Sequence, residues 1–78
     1  MTRSDFFANI EGILELPAGT IKGDEDLGSF AAWDSLAMVT FIAFADGKLN
    51  LRVAPADLTN ARKISDLVDI AKSVLKDQ

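Results

Sequence analysis

Phe6, Ile10, Ile13 and Leu14 fall at positions i, i+4, i+7 and i+8, which draws one apolar stripe along a helix. The spacing predicts a first helix over residues 4–15, with Ser4 as the residue that caps its start and Pro17 stopping it just past Leu16. Gly12 inside the stretch lowers its helix propensity slightly. A long connection over residues 17–34 comes next, and loops of that length in small domains are functional or packed by their own side chains. Ile21, Leu27 and Phe30 are its expected anchors, and Gly19, Gly23 and Gly28 supply the bends. A second helix is expected over 35–46, ended by Gly47.

Leu49, Leu51 and Val53 alternate with Asn50 and Arg52, which taken alone is a strand pattern. No partner strand is apparent elsewhere in the chain, so the stretch reads as an extended connection that buries alternate residues. Pro55-Ala56-Asp57-Leu58 gives one short helical turn, and a last helix is expected over 64–76 with Leu67, Ile70, Ala71 and Val74 facing inward. The expected fold is all-α, a small bundle of three longer helices plus one short helix.

Composition narrows the chemistry. The 78 residues make one domain spanning 1–78, with too little chain for a second core. Apolar residues are 49% of the total, enough for a core, though a core this small is marginal. The absence of cysteine removes disulfides, thiolate metal sites and cysteine nucleophiles. The absence of histidine removes the commonest general base and metal ligand. A formal charge of −4 repels phosphate backbones, so nucleic acid is not an expected partner. Met1-Thr2-Arg3-Ser4-Asp5 has no apolar signal-peptide core, and the uncharged run over 36–45 is too short to span a bilayer. The expectation is a soluble, cytoplasmic protein with no membrane partner. Asp24, Glu25 and Asp26 lack the alternating spacing and glycine of an EF-hand loop, so they read as a solvated turn and no metal site is expected.

At about 100° per residue the second helix divides into two faces. Met38, Phe41, Ile42 and Ala45 cluster on the side expected to enter the core, with Ala37 and Phe44 on one flank. Leu36, Val39, Thr40 and Ala43 cluster on the opposite side, beside Ser35. An exposed apolar patch of that kind is a candidate interaction surface.

Trp33-Asp34-Ser35-Leu36 stands at the start of this helix. There the first backbone N–H groups and the helix dipole favour a negative charge attached to the serine. The Asp-Ser-Leu core in this placement, with the chain length, the acidity and the long preceding loop, resembles the attachment site of the acyl carrier protein family. Ile64-Ser65-Asp66-Leu67-Val68-Asp69-Ile70 is similar to the start of that family's last helix, and the resemblance covers about residues 6–75.

The resemblance implies that Ser35 carries 4′-phosphopantetheine through a phosphodiester, with Asp34 read by a phosphopantetheinyl transferase and Leu36 beside the attachment point. It further implies a monomeric carrier that is not itself an enzyme. Its partners would be the transferase and the enzymes that load and process a thioester-bound acyl or aminoacyl cargo. Leu36, Ala37, Val39, Thr40, Ala43 and Asp46 are the candidate partner-binding residues. Fatty-acid carriers have a second helix rich in acids, whereas Ala37 and Thr40 stand at such positions here and only Asp46 remains. Lys48 and Arg52 follow it. Docking should then lean on shape and apolar contact, which favours a specialised biosynthetic pathway. Phe41 and Met38 are bulky for inward positions and are expected to fill space in which some carriers hold a long acyl chain.

Two other readings belong beside this one. The chain can be an unmodified helical interaction module using the Leu36, Val39 and Ala43 face, with Ser35 or Asp34 only capping the helix. A small enzyme built on Ser35 and Asp34 is disfavoured, because adjacent residues at a helix start diverge and no base connects them. Trp33 is read first as a packing residue of the loop, the alternative being that it lines the route of the arm or meets a partner.

Overall fold

The structure is a computed structural model in which residues 1–76 are described. Helix α1 spans Arg3–Ile13. Its cap is Thr2, whose hydroxyl accepts the Asp5 amide N–H at 3.1 Å, and Ser4, the expected cap, lies inside the first turn. The helix ends two residues short of the expected 15. Glu15 turns left-handed at φ 59° and the Leu16 N–H reaches back to the Glu11 carbonyl at 2.8 Å, which closes the helix before Pro17 is reached.

The connection that follows is pinned from both sides. Ile21 and Leu27 are buried and Phe30 half-buried, as their apolar spacing predicted. Glu11 on α1 is also buried, and its carboxylate accepts the Ile21 N–H at 2.8 Å. Leu27–Ser29 forms a 3₁₀ turn. The Leu27 N–H donates to the Arg62 carbonyl at 2.8 Å and the Ile64 N–H to the Glu25 carbonyl at 3.0 Å, so the middle of the loop is clamped to the chain entering the last helix.

Helix α2 spans Ser35–Leu49 and passes through Gly47 instead of stopping there. Asn50, in the left-handed region at φ 53°, is the actual terminator. Magnitudes explain the extra turn. A glycine inside a helix costs about 1 kcal/mol, whereas burying a leucine returns about 1.5–3 kcal/mol, and the added residues bring Leu49 into the core. Beyond Asn50 the chain is extended with Val53 buried and Leu51 half-buried. Only part of the expected alternation survives, because Leu49 belongs to the helix.

Helix α3 is the short Pro55–Thr59, begun by Pro55 and by the Asp57 carboxylate, which accepts the Ala54 N–H at 3.2 Å. Helix α4 spans Ile64–Ala71 and passes into a 3₁₀ turn over Lys72–Val74, well short of the expected residue 76. The backbone there is taken by another partner. The Lys76 N–H donates to the Met1 carbonyl at 2.9 Å and the Arg3 N–H to the Lys76 carbonyl at 3.1 Å, which ties the two ends of the described chain together. Ile64, Leu67, Val68 and Ala71 are buried, while Ile70 and Val74 are half-buried.

The described residues contain four α-helices and no strand, so the architecture is all-α. Phe6 of α1 meets Phe41 edge-on and Phe44 at a tilt, both with ring centroids 6.0 Å apart, and Phe41 and Phe44 lie 5.9 Å apart. These three rings lock α1 against α2. Ile10, Leu27, Leu58, Ile64 and Leu67 surround them. The radius of gyration is 11.2 Å, close to the roughly 11.5 Å of a compact chain of this length.

Candidate functional site

Asp34 is the N-cap of α2. Its backbone is extended, and its Oδ1 accepts the Ala37 N–H at 2.9 Å while its carbonyl accepts the Met38 N–H at 3.0 Å. The capping role thus falls wholly to Asp34, and Ser35 is left as the first residue of the helix, exposed. Among the described residues no hydrogen bond holds the Ser35 hydroxyl. Its chemistry is that of a free primary alcohol at the positive end of a helix. The chain has no histidine to stand beside it as a general base, and the neighbouring Asp34 carboxylate spends Oδ1 on the Ala37 N–H.

The rest of α2 divides almost as its periodicity predicts. Leu36 is 74% exposed and Val39 61%, the two large apolar side chains that the fold leaves in water among the described residues. Thr40, Ala43 and Asp46 are exposed beside them, and the Thr40 hydroxyl donates to the Leu36 carbonyl at 2.9 Å. Ala37 is the exception. It turns inward and is buried, so its side chain does not belong to the exposed face. The buried ridge is Ala37, Phe41, Ala45 and Leu49, with Met38, Ile42 and Phe44 only half-buried. The ridge is rotated toward α1 because Phe6 draws Phe41 and Phe44 to that side.

A small cleft of about 130 Å³ lies at the start of the helix, between Asp34, Leu36, Ala37 and Thr40 and the end of α1 at Ile13, and two larger ones lie further along. One, of about 370 Å³, runs along the exposed face between Val39, Ile42 and Ala43 on one wall and Arg52 and Val53 on the other. The second, of about 470 Å³, lies where Trp33 and Met38 face Leu58, with Asp26, Asn60 and Arg62 on its rim. Trp33 is half-buried against the core, so it packs the loop and walls this cleft at once. The cleft joins segments distant in sequence and was not foreseen. The buried Glu11 was missed as well, and its one sequence signal is a charge placed next to an apolar stripe position.

Charges elsewhere serve the backbone. Asp24 and Asp26 are exposed, with the Asp26 backbone bridged to Lys63, and the Glu25 carboxylate accepts the Gly23 N–H at 2.9 Å and the Lys22 N–H at 2.7 Å. The bond from Gly23 is the main reason its pKa is held below the usual value, against the opposing effect of burial and with the Lys22 bond adding to it. The Asp66 carboxylate accepts the Arg62 N–H at 2.8 Å and the Lys63 N–H at 3.0 Å, and these bonds, Arg62's first, hold its pKa down too. No helix among the described residues is long and apolar enough to cross a membrane. No protein-family model matches the chain, and neither the curated proteins nor the solved structures give a significant match.

Proposed function

We propose that this protein is an acyl carrier protein, bearing 4′-phosphopantetheine on Ser35 and shuttling a thioester-bound cargo between the enzymes of a specialised biosynthetic pathway. The observation that carries the reading is Ser35 itself. Its hydroxyl is exposed and unbonded at the first position of a 15-residue helix, inside Trp33-Asp34-Ser35-Leu36. Supporting it are the free amides of that helix start. Ala37 and Met38 N–H are taken by Asp34, whereas Ser35 and Leu36 N–H have no acceptor within the helix. A phosphodiester on Ser35 fits there, since its charge meets the positive end of the dipole.

In the attachment reaction the Ser35 hydroxyl is the nucleophile. A new Oγ–phosphorus bond forms as the pyrophosphate of coenzyme A breaks, 3′,5′-adenosine bisphosphate leaves, and the transferase takes the serine proton. Asp34 orients the serine by fixing the helix start, and its second carboxylate oxygen is left for the transferase to read. The bound group supplies a terminal thiol that holds cargo as a thioester at high effective concentration for each partner. Leu36, Val39, Thr40, Ala43 and Asp46 offer those partners an apolar face with little charge. The test is the mass of the protein after incubation with coenzyme A and a phosphopantetheinyl transferase. One phosphopantetheine should add to the wild type and none to Ser35→Ala.

The exposure of Leu36 and Val39 also favours a second reading, an unmodified module that binds a partner through α2. In that case Ser35→Ala would leave partner binding intact, and no wild-type mass gain would be seen.

A further inference from the structure

We infer that the phosphopantetheine arm rests with its pantoyl end in the small cleft where the start of α2 meets the end of α1, its paired methyls against Ile13, Ala32 and Ala37. The inference rests on the carrier reading of Ser35. The cleft, of about 130 Å³, is lined by Ile13, Ala32, Leu36 and Ala37, with Glu15, Asp34 and Thr40 around them. Ala37 is buried, and Ala32 and Ile13 are half-buried. The two alanines each contribute one methyl whose place the backbone alone decides. Most of the apolar wall is therefore set by the fold and not by the rotamer of an exposed side chain.

Covalent reach selects the part of the arm that meets this wall. Asp34 and Leu36 are the immediate neighbours of Ser35, each with its Cα about 3.8 Å from that of the serine. In phosphopantetheine a single O–CH₂ link joins the phosphate to a quaternary carbon that bears two methyls. That carbon stays beside Ser35, and its methyls form a compact apolar group. The cleft has the volume of roughly four waters at about 30 Å³ each, which suits this group and is too small for a long alkyl cargo. Removal of the methyls from water favours the seat. Next to them the pantoyl hydroxyl is a neutral donor, and the cleft offers it acceptors. Asp34 spends Oδ1 on the Ala37 N–H, which leaves Oδ2, while the Thr40 hydroxyl already donates to the Leu36 carbonyl. Among the described residues that line the cleft none is a cation. Leu36 belongs both to the cleft and to the exposed face of α2, so a partner that covers it competes with the resting arm.

The experiment compares methyl NMR spectra of the full chain when unmodified, when carrying phosphopantetheine, and when carrying an arm made without the two methyls. The natural arm should give NOEs from its paired methyls to the Ile13 and Ala32 methyls. Those two signals should move on modification and return most of the way with the methyl-free arm, which keeps the phosphate charge. Ile13 and Ala32 are the reporters because, unlike Leu36 and Ala37, they lie outside α2. NOEs to the Trp33 indole or the Met38 methyl instead, or none to the protein, would overturn the inference. Equal movement of the two signals with both arms would overturn it as well. Failure of the carrier reading shows earlier and differently, as no mass gain at Ser35 before any spectrum of the modified protein is recorded.

Discussion

Because Asp34 accepts the Ala37 N–H, the Ser35 hydroxyl plays no part in capping α2. Ser35→Ala should therefore change stability by less than about 0.5 kcal/mol, as for other exposed positions, and thermal unfolding of the two proteins should nearly coincide. Asp34→Ala removes the cap and should cost about 1 kcal/mol, a fall in Tm of roughly 4–8 °C for a domain of this size. Asp34→Asn separates its two roles. Asparagine caps as well as aspartate, so Tm should hold, while transferase turnover should fall if the carboxylate is what the enzyme reads. Equal turnover by the two proteins would leave Asp34 a cap alone. The serine at the helix start was legible in the sequence. Which of the two neighbours supplies the cap was not, since both residue types cap well and only the observed hydrogen bond decides.

At the scale of elements, apolar periodicity located α1, α2 and α4, and a Pro-led turn signal α3, but not their ends or the 3₁₀ turns. The 3.6-residue pattern of α1 and α4 follows from burial and survives folding. Ends are settled by competition between neighbours that pattern alone does not weigh. Gly47 looked like a terminator, yet burial of Leu49 carries α2 past it. A Cβ at Gly47 would meet no atom within 4 Å and the backbone there is helical, so Gly47→Ala should stabilise the protein by about 0.5–1 kcal/mol in denaturant unfolding. Glu11 presents the converse case, a charge inside a core because the long loop needs an acceptor for the Ile21 N–H. Glu11→Ala leaves that buried donor without a partner and should cost about 1–3 kcal/mol, whereas Glu11→Gln retains an acceptor and should cost less. The cleft beside Trp33 was illegible for a plain reason. It is assembled from three separated segments, and the backbone bonds of Leu27 to Arg62 and of Ile64 to Glu25 bring the loop to the chain before α4.

For the whole molecule, a small core leaves little stability in reserve. Phe41→Ala should cost about 3–5 kcal/mol, enough to unfold most of the population, which circular dichroism would register as lost helicity. Acid should act through Glu25 and Asp66, whose carboxylates are held below their usual pKa by backbone N–H groups. A group with a lowered folded-state pKa contributes its stability above the ordinary carboxylate range, and that contribution fades as pH falls through the folded value. The midpoint of urea unfolding should thus be level near neutrality and decline below about pH 4, less steeply in the double variant Glu25→Gln, Asp66→Asn. The fold leaves Ser35 exposed at the start of α2, and the proposed function turns on whether Ser35 takes up phosphopantetheine. Intact mass after incubation with coenzyme A and a broad-specificity phosphopantetheinyl transferase tests it most directly. The account predicts a gain of one phosphopantetheine in the wild type and none in an equally folded Ser35→Ala. An unchanged wild-type mass, with the transferase active on a control carrier, would contradict it.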